Sequence, residues 1–85
     1  MWTSLECLTI AAQCGGCSNI ESIYNCFTRV HFVLRDLDKV TEEKKSRLKK
    51  IPCVKGVFIR ADEVQLVVGS EAALLCRTCK NQLKK

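Results

Sequence analysis

Between Thr28 and Arg35 every second residue, Val30, Phe32 and Leu34, is large and apolar, while Arg29, His31 and Arg35 share the opposite face with Val33. Side chains of a strand alternate between its two faces, so this segment must bury one face and leave the other open. Whatever the rest of the chain does, it has to cover Val30, Phe32 and Leu34. A second segment, Ile20 to Tyr24, reads as a shorter strand just before it. Val54 to Arg60 and Val64 to Val68 read as a hairpin around Ala61-Asp62, with Val64, Leu66 and Val68 alternating as a half-buried strand requires.

Three segments carry helix signals. Thr3-Ser4-Leu5-Glu6 fits a capping box, in which Thr3 caps the helix and Glu6 reaches back to the Thr3 amide. That helix covers about residues 3–14, with Leu5, Leu8 and Ala12 as its expected apolar face, and Gly15-Gly16 stops it. Thr41 caps a second helix, Glu42 and Glu43 suit the positive end of its dipole, and Pro52 ends it. Only Val40, Leu48 and Ile51 give that helix a seam, so it should be thin and mostly solvated. Ser70 is expected to cap a third helix whose stripe is Ala72, Leu75, Cys76, Cys79 and Leu83.

The order is helix, two strands, helix, two strands, helix. Hairpin-length joins make antiparallel pairs, and three amphipathic helices need a sheet face to cover. The expected fold is therefore α+β, a two-layer sandwich of a four-stranded antiparallel sheet with three helices on one face. Eighty-five residues suit a single domain over 1–85, its core about 3–83. Met1 to Ala12 has no basic leader region, and no apolar run approaches the ~20 residues of a membrane span. A cytoplasmic protein is expected.

Seven cysteines raise the question of a disulfide framework; their odd number and the missing export signal argue against it. Each thiol is then either a small buried hydrophobe or chemically active. Cys14 with Cys17 and Cys76 with Cys79 form two CxxC pairs, a zinc-like pattern. The 58 residues between the pairs are too many for a compact zinc ribbon, and Cys76 and Cys79 already belong to a helix stripe. No metal is expected. A redox role for Cys14 and Cys17 is weaker still, because such pairs open a helix and this one closes one.

The net charge of +5 is uneven: residues 37–85 hold twelve of the fourteen basic side chains, seven of them between Lys39 and Lys55. Such a run can steer nucleic acid or an acidic partner, but is more often the solvated face of a helix. No aromatic residue lies within it, and no nucleic-acid module fits. Nucleic acid is not an expected partner.

Cys26 sits in the connection between the first two strands. A thiolate is a strong nucleophile, and a neighbouring cation favours the charged form. The backbone amides of Phe27 and Thr28 can form a nest for an anion, and the Thr28 hydroxyl is a further donor. Phosphoryl transfer asks for positioning and charge stabilisation above all. Cys26, Thr28 and Arg29 offer a nucleophile, a donor and a fixed cation within four residues. The residues alone leave an ordinary buried cysteine equally open.

The run Asn19-Ile20, Cys26, Thr28-Arg29-Val30, then Phe32, Leu34 and Asp36 resembles the phosphorylation-site signature of IIB domains of the glucose–sucrose type of the sugar phosphotransferase system. Gly15-Gly16, Lys39-Val40, Val54-Lys55-Gly56-Val57 and Val68-Gly69 extend the resemblance over about residues 5–75. The resemblance implies a relay. A phosphohistidine of a IIA protein or domain passes its phosphoryl group to Cys26, and the phosphocysteine then phosphorylates a sugar held by a membrane-embedded IIC domain. It implies phosphate binding by Phe27, Thr28, Arg29 and residue 31, no cofactor, and a place at the inner face of the plasma membrane through IIC. In the family, residue 31 is usually a second arginine. Here it is His31, a weaker, pH-dependent cation, which keeps alive a regulatory IIB-like phosphocarrier without a transport role.

Overall fold

The computed structural model describes residues 2–85; Met1, at the head of the domain expected over 1–85, lies outside them. Helix α1 runs Ser4–Gln13, strand β1 Ile20–Cys26, β2 Arg29–Leu34, helix α2 Glu42–Lys49, β3 Gly56–Arg60, β4 Glu63–Val67 and helix α3 Ala72–Leu83, with three short 3-10 turns between them. The strands form one sheet in the order β1-β2-β4-β3, and every neighbouring pair is antiparallel. The two hairpins thus lie side by side, joined in the middle by β2 and β4. Among the described residues no helix is long and apolar enough to cross a membrane.

The alternation of β2 decides which side is covered. Val30, Phe32 and Leu34 are almost wholly buried, and with Ile20, Ile23, Val57, Val64 and Leu66 they meet the helices in a single core. A strand core of this kind, with Phe32 fully enclosed, contributes several kcal/mol per large side chain. Residues paired across neighbouring strands share a face, so the register assigns the opposite side. Rows Cys26–Arg29–Val67–Gly56, Tyr24–His31–Gln65–Phe58 and Ser22–Val33–Glu63–Arg60 cross the open face from β1 to β3.

Helix α1 begins as the sequence requires. Thr3 and Glu6 form the reciprocal capping box, with the Thr3 amide 2.8 Å from Glu6 Oε1. Its buried face is not the expected one. Leu5, Leu8 and Ala12 are exposed, and Cys7, Ile10, Ala11 and Cys14 face the core. Both sets have helical spacing; the smaller one wins because α1 lies close against α3. Cys7 Sγ is 3.0 Å from Cys79 Sγ, an approach that leucines at this seam would prevent. The α3 stripe is buried as expected at Ala72, Leu75, Cys76, Cys79 and Leu83. Its start differs: Ser70 lies inside a 3-10 turn, Gly69–Glu71, and the cap position, Glu71, makes no side-chain capping bond. The 3-10 turn supplies the entry that a capping serine would otherwise give.

Four of the seven cysteines, Cys7, Cys14, Cys76 and Cys79, are buried core residues, and Cys17, Cys26 and Cys53 are exposed. Burial pushes the Cys14 thiol up to about 12 and raises that of Cys79 further, where the bond to Cys7 adds to the effect. Such thiols stay protonated and behave as small apolar groups. Helix α2 is the thin helix its sequence describes: Thr41 Oγ1 accepts from the Lys44 amide at 3.2 Å, and Leu48 is its one fully buried residue.

Candidate functional site

Asn19, buried, ties the ends of the first hairpin together. Its side-chain Nδ2 donates to the Cys14 carbonyl at 2.7 Å and the Asp36 carbonyl at 3.0 Å, while Oδ1 accepts from the Asp36 amide at 3.0 Å. One amide thus joins the end of α1, the start of β1 and the end of β2. Gly15 must be glycine to allow it: its φ is +95°, and a Cβ there would sit 2.7 Å from Asn19 Nδ2. The far end of the hairpin is thereby held in register.

At that far end the strands close through a two-residue turn, Phe27-Thr28. Phe27 has φ +54°, the left-handed conformation that such tight hairpins use. Cys26 is the last residue of β1 rather than a loop residue, paired directly with Arg29 on the open face. The strand thus runs two residues beyond the expected end at Tyr24, because its pairing with β2 continues through Asn25–Val30 and Cys26–Arg29 up to the turn. The Thr28 carbonyl accepts from the amides of Val68 at 2.9 Å and Gly69 at 3.1 Å, which fastens the turn to the end of β4. Phe27 itself stands out from the surface at 93% exposure.

The structure therefore brings Cys26 and Arg29 together, with Phe27 and Thr28 in the turn that joins them. The thiol is exposed and the guanidinium is half-buried, held by two neighbours from other strands. Arg29 Nη1 donates to Gln65 Oε1 at 2.9 Å, and the guanidinium carbon lies 4.7 Å from the centroid of the Phe58 ring. Both partners belong to β4 and β3, on the side of β2 away from β1, and together they hold a fixed positive charge on the open face.

His31 lies on the same face but one row away from Cys26. Its Nδ1 is 2.8 Å from Glu63 Oε1, and its ring stacks on Tyr24 with centroids 4.4 Å apart. The Tyr24 hydroxyl donates to the other Glu63 oxygen at 2.6 Å, which raises the Tyr24 pKa. Burial alone would raise the Glu63 pKa, but hydrogen bonds from His31, Tyr24 and Gln65 outweigh it and hold the carboxyl below its usual range. Sequence reasoning missed Gln65, Glu63 and Phe58. Gln65 gave no signal: between Val64 and Leu66 it reads as an ordinary open-face residue, and only the fold shows it nearly fully buried and bonded to Arg29 and Glu63.

Among the described residues no group of three or more His, Cys, Asp or Glu side chains is arranged to hold a metal ion. Cys17 Sγ meets the Leu83 carbonyl at 3.7 Å, whereas Cys14, Cys76 and Cys79 lie in the core.

The sequence profile of a family described as phosphotransferase system, EIIB, matches residues 9–40, which include Gly15, Asn19, Cys26, Thr28 and Arg29. The chain is 32% identical over 76 residues to the trehalose-specific EIIBC component of Escherichia coli K12, covering 84% of this chain and 15% of that protein. It is 46% identical over 55 residues to the MurNAc-GlcNAc-specific EIIBC component of Staphylococcus saprophyticus, covering 65% of this chain and 11% of that protein. The chain thus spans only a small part of these relatives. A crystal structure of one domain of a IIabc component from Clostridium difficile shares the fold, with a TM-score of 0.64 and 23% identity over 98% of this chain and 84% of that one.

Proposed function

Because the chain belongs to the EIIB family of the sugar phosphotransferase system, we propose that it carries a phosphoryl group on Cys26 between a IIA phosphohistidine and a sugar bound by a IIC domain. The observation that carries this reading is the cross-strand pairing of Cys26, exposed, with Arg29 at the end of a pinned hairpin. In the first step the Cys26 thiolate attacks the donor phosphorus; an S–P bond forms as the P–N bond of the phosphohistidine breaks, and the donor imidazole keeps the electron pair and takes a proton. In the second step a sugar hydroxyl attacks the same phosphorus: an O–P bond forms as the S–P bond breaks, the sulfur leaves as thiolate with the electron pair, and the hydroxyl proton passes to water. Arg29 and the turn amides of Phe27 and Thr28 bear the phosphoryl charge, and His31 adds to them when protonated.

Within this reading the 1–85 unit is one IIB domain working in the cytoplasm, at the inner face of the membrane through IIC. No metal or cofactor enters either step. Phosphoenolpyruvate, the general phosphotransferase proteins and a phosphorylated IIA donor should load one phosphoryl group per chain, and a sugar with IIC-containing membrane vesicles should then discharge it. A chain that stays unmodified in the presence of competent donors would falsify the relay.

A further inference from the structure

The relay uses Arg29 but gives no task to the carboxylate behind it. Glu63 of β4 gathers three side chains of the open face. Oε1 accepts from His31 Nδ1 at 2.8 Å and from Gln65 Nε2 at 3.2 Å, and Oε2 accepts from the Tyr24 hydroxyl at 2.6 Å. Gln65, its amide nitrogen committed to Glu63, turns its oxygen to Arg29 Nη1 at 2.9 Å. Tyr24–Glu63–Gln65–Arg29 is therefore a continuous chain that ends on Arg29, the register partner of Cys26, with His31 attached to its hub.

We propose that Glu63 is the positioning residue of the phosphoryl site, fixing which nitrogen of His31 is open to a phosphoryl oxygen and, through Gln65, how the Arg29 guanidinium is held. The proposal rests on the phosphocysteine reading of Cys26. Two hydrogen-bond rules support it. A glutamine amide can face its neighbours either way round; with a carboxylate on one side and a guanidinium on the other, only nitrogen toward Glu63 and oxygen toward Arg29 avoids two repulsive contacts. A carboxylate only accepts, so the neutral His31 ring must carry its proton on Nδ1 and present Nε2. Nε2 can then donate to an oxyanion only when the ring is protonated. Glu63 stays ionised to do this, since its three donors hold its pKa down against the effect of burial. Arg60 of β3 is its register partner across the sheet.

His31 is the single histidine of the chain, which makes the test direct. Nitrogen-15 spectra of the neutral imidazole should show the Nδ1–H tautomer in the parent. Glu63→Gln keeps an acceptor and should retain that tautomer. Glu63→Ala should shift the ring toward Nε2–H and slow phosphoryl uptake from the IIA donor about tenfold, the scale of a small misplacement near a reacting centre. An Nε2–H ring in the parent, or a folded Glu63→Ala variant that keeps the parent's ring or the parent's uptake, overturns the proposal. Should the parent take up no phosphoryl group at all, it is the phosphocysteine reading that fails, and the ring spectra still decide the role of Glu63.

Discussion

Cys26→Ser is expected to take up no phosphoryl group from a phosphorylated IIA donor, while its fold and thermal unfolding match the parent. The thiol is exposed at the end of β1 and makes no core contact, so the exchange of sulfur for oxygen leaves packing unchanged. The loss is chemical. A serine hydroxyl is a weak nucleophile at neutral pH unless a base activates it, whereas a thiolate needs none. The other thiols are not substitutes: Cys7, Cys14, Cys76 and Cys79 are buried with raised pKa values. Cys17 and Cys53 are exposed, but neither is a strand residue paired with an arginine: Cys17 opens the 3-10 turn before β1, and Cys53 lies between α2 and β3. Stoichiometric labelling of Cys26→Ser would move the site elsewhere.

Arg29→Ala should slow transfer to Cys26 on the order of a hundredfold, the usual cost of removing one preorganised charge partner from a developing anion. Its effect on folding should be small by comparison. The Gln65 hydrogen bond and the Phe58 contact together are worth about 1–2 kcal/mol. Single-turnover rates from the IIA donor and a denaturant melt, measured on the same variant, separate the two effects. Equal rates in parent and variant would leave the turn amides as the whole phosphate site.

The sequence signature divides in two once it is folded, and the division explains what was legible. Gly15, Asn19 and the alternating Val30, Phe32 and Leu34 build the scaffold, through a close backbone approach, a buried clip and a strand core. Cys26, Thr28 and Arg29 stand at the tip, where the side chains of Cys26 and Thr28 are exposed and that of Arg29 is half-buried against Gln65 and Phe58. Short-range patterns of this kind, with caps at Thr3 and Thr41 and the turn at Ala61, are written in neighbouring residues and can be read there.

What could not be read was set by contacts distant in sequence. The choice of Cys7, Ile10 and Ala11 over Leu5 and Leu8 as the inner face of α1 depends on how near α3 comes. Glu63 and Gln65 acquire their roles only because β2 and β4 pair, with His31 opposite Gln65 and Val33 opposite Glu63. In the sequence, residue 31 reads as a weaker, pH-dependent cation where the family usually has arginine. In the fold it is bonded to an acidic side chain from another strand, so its charge and its partner must be considered together.

Both transfer steps of the proposed relay require the phosphoryl group to ride on the sulfur of Cys26. Phosphorus-31 NMR of the loaded protein, joined to peptide mapping under conditions that preserve the S–P bond, tests it most directly. A single phosphorothiolate signal and a single modified peptide, the one containing Cys26, are expected. A phosphohistidine signal from His31, or a modified peptide carrying Cys17 or Cys53 in place of Cys26, would contradict it.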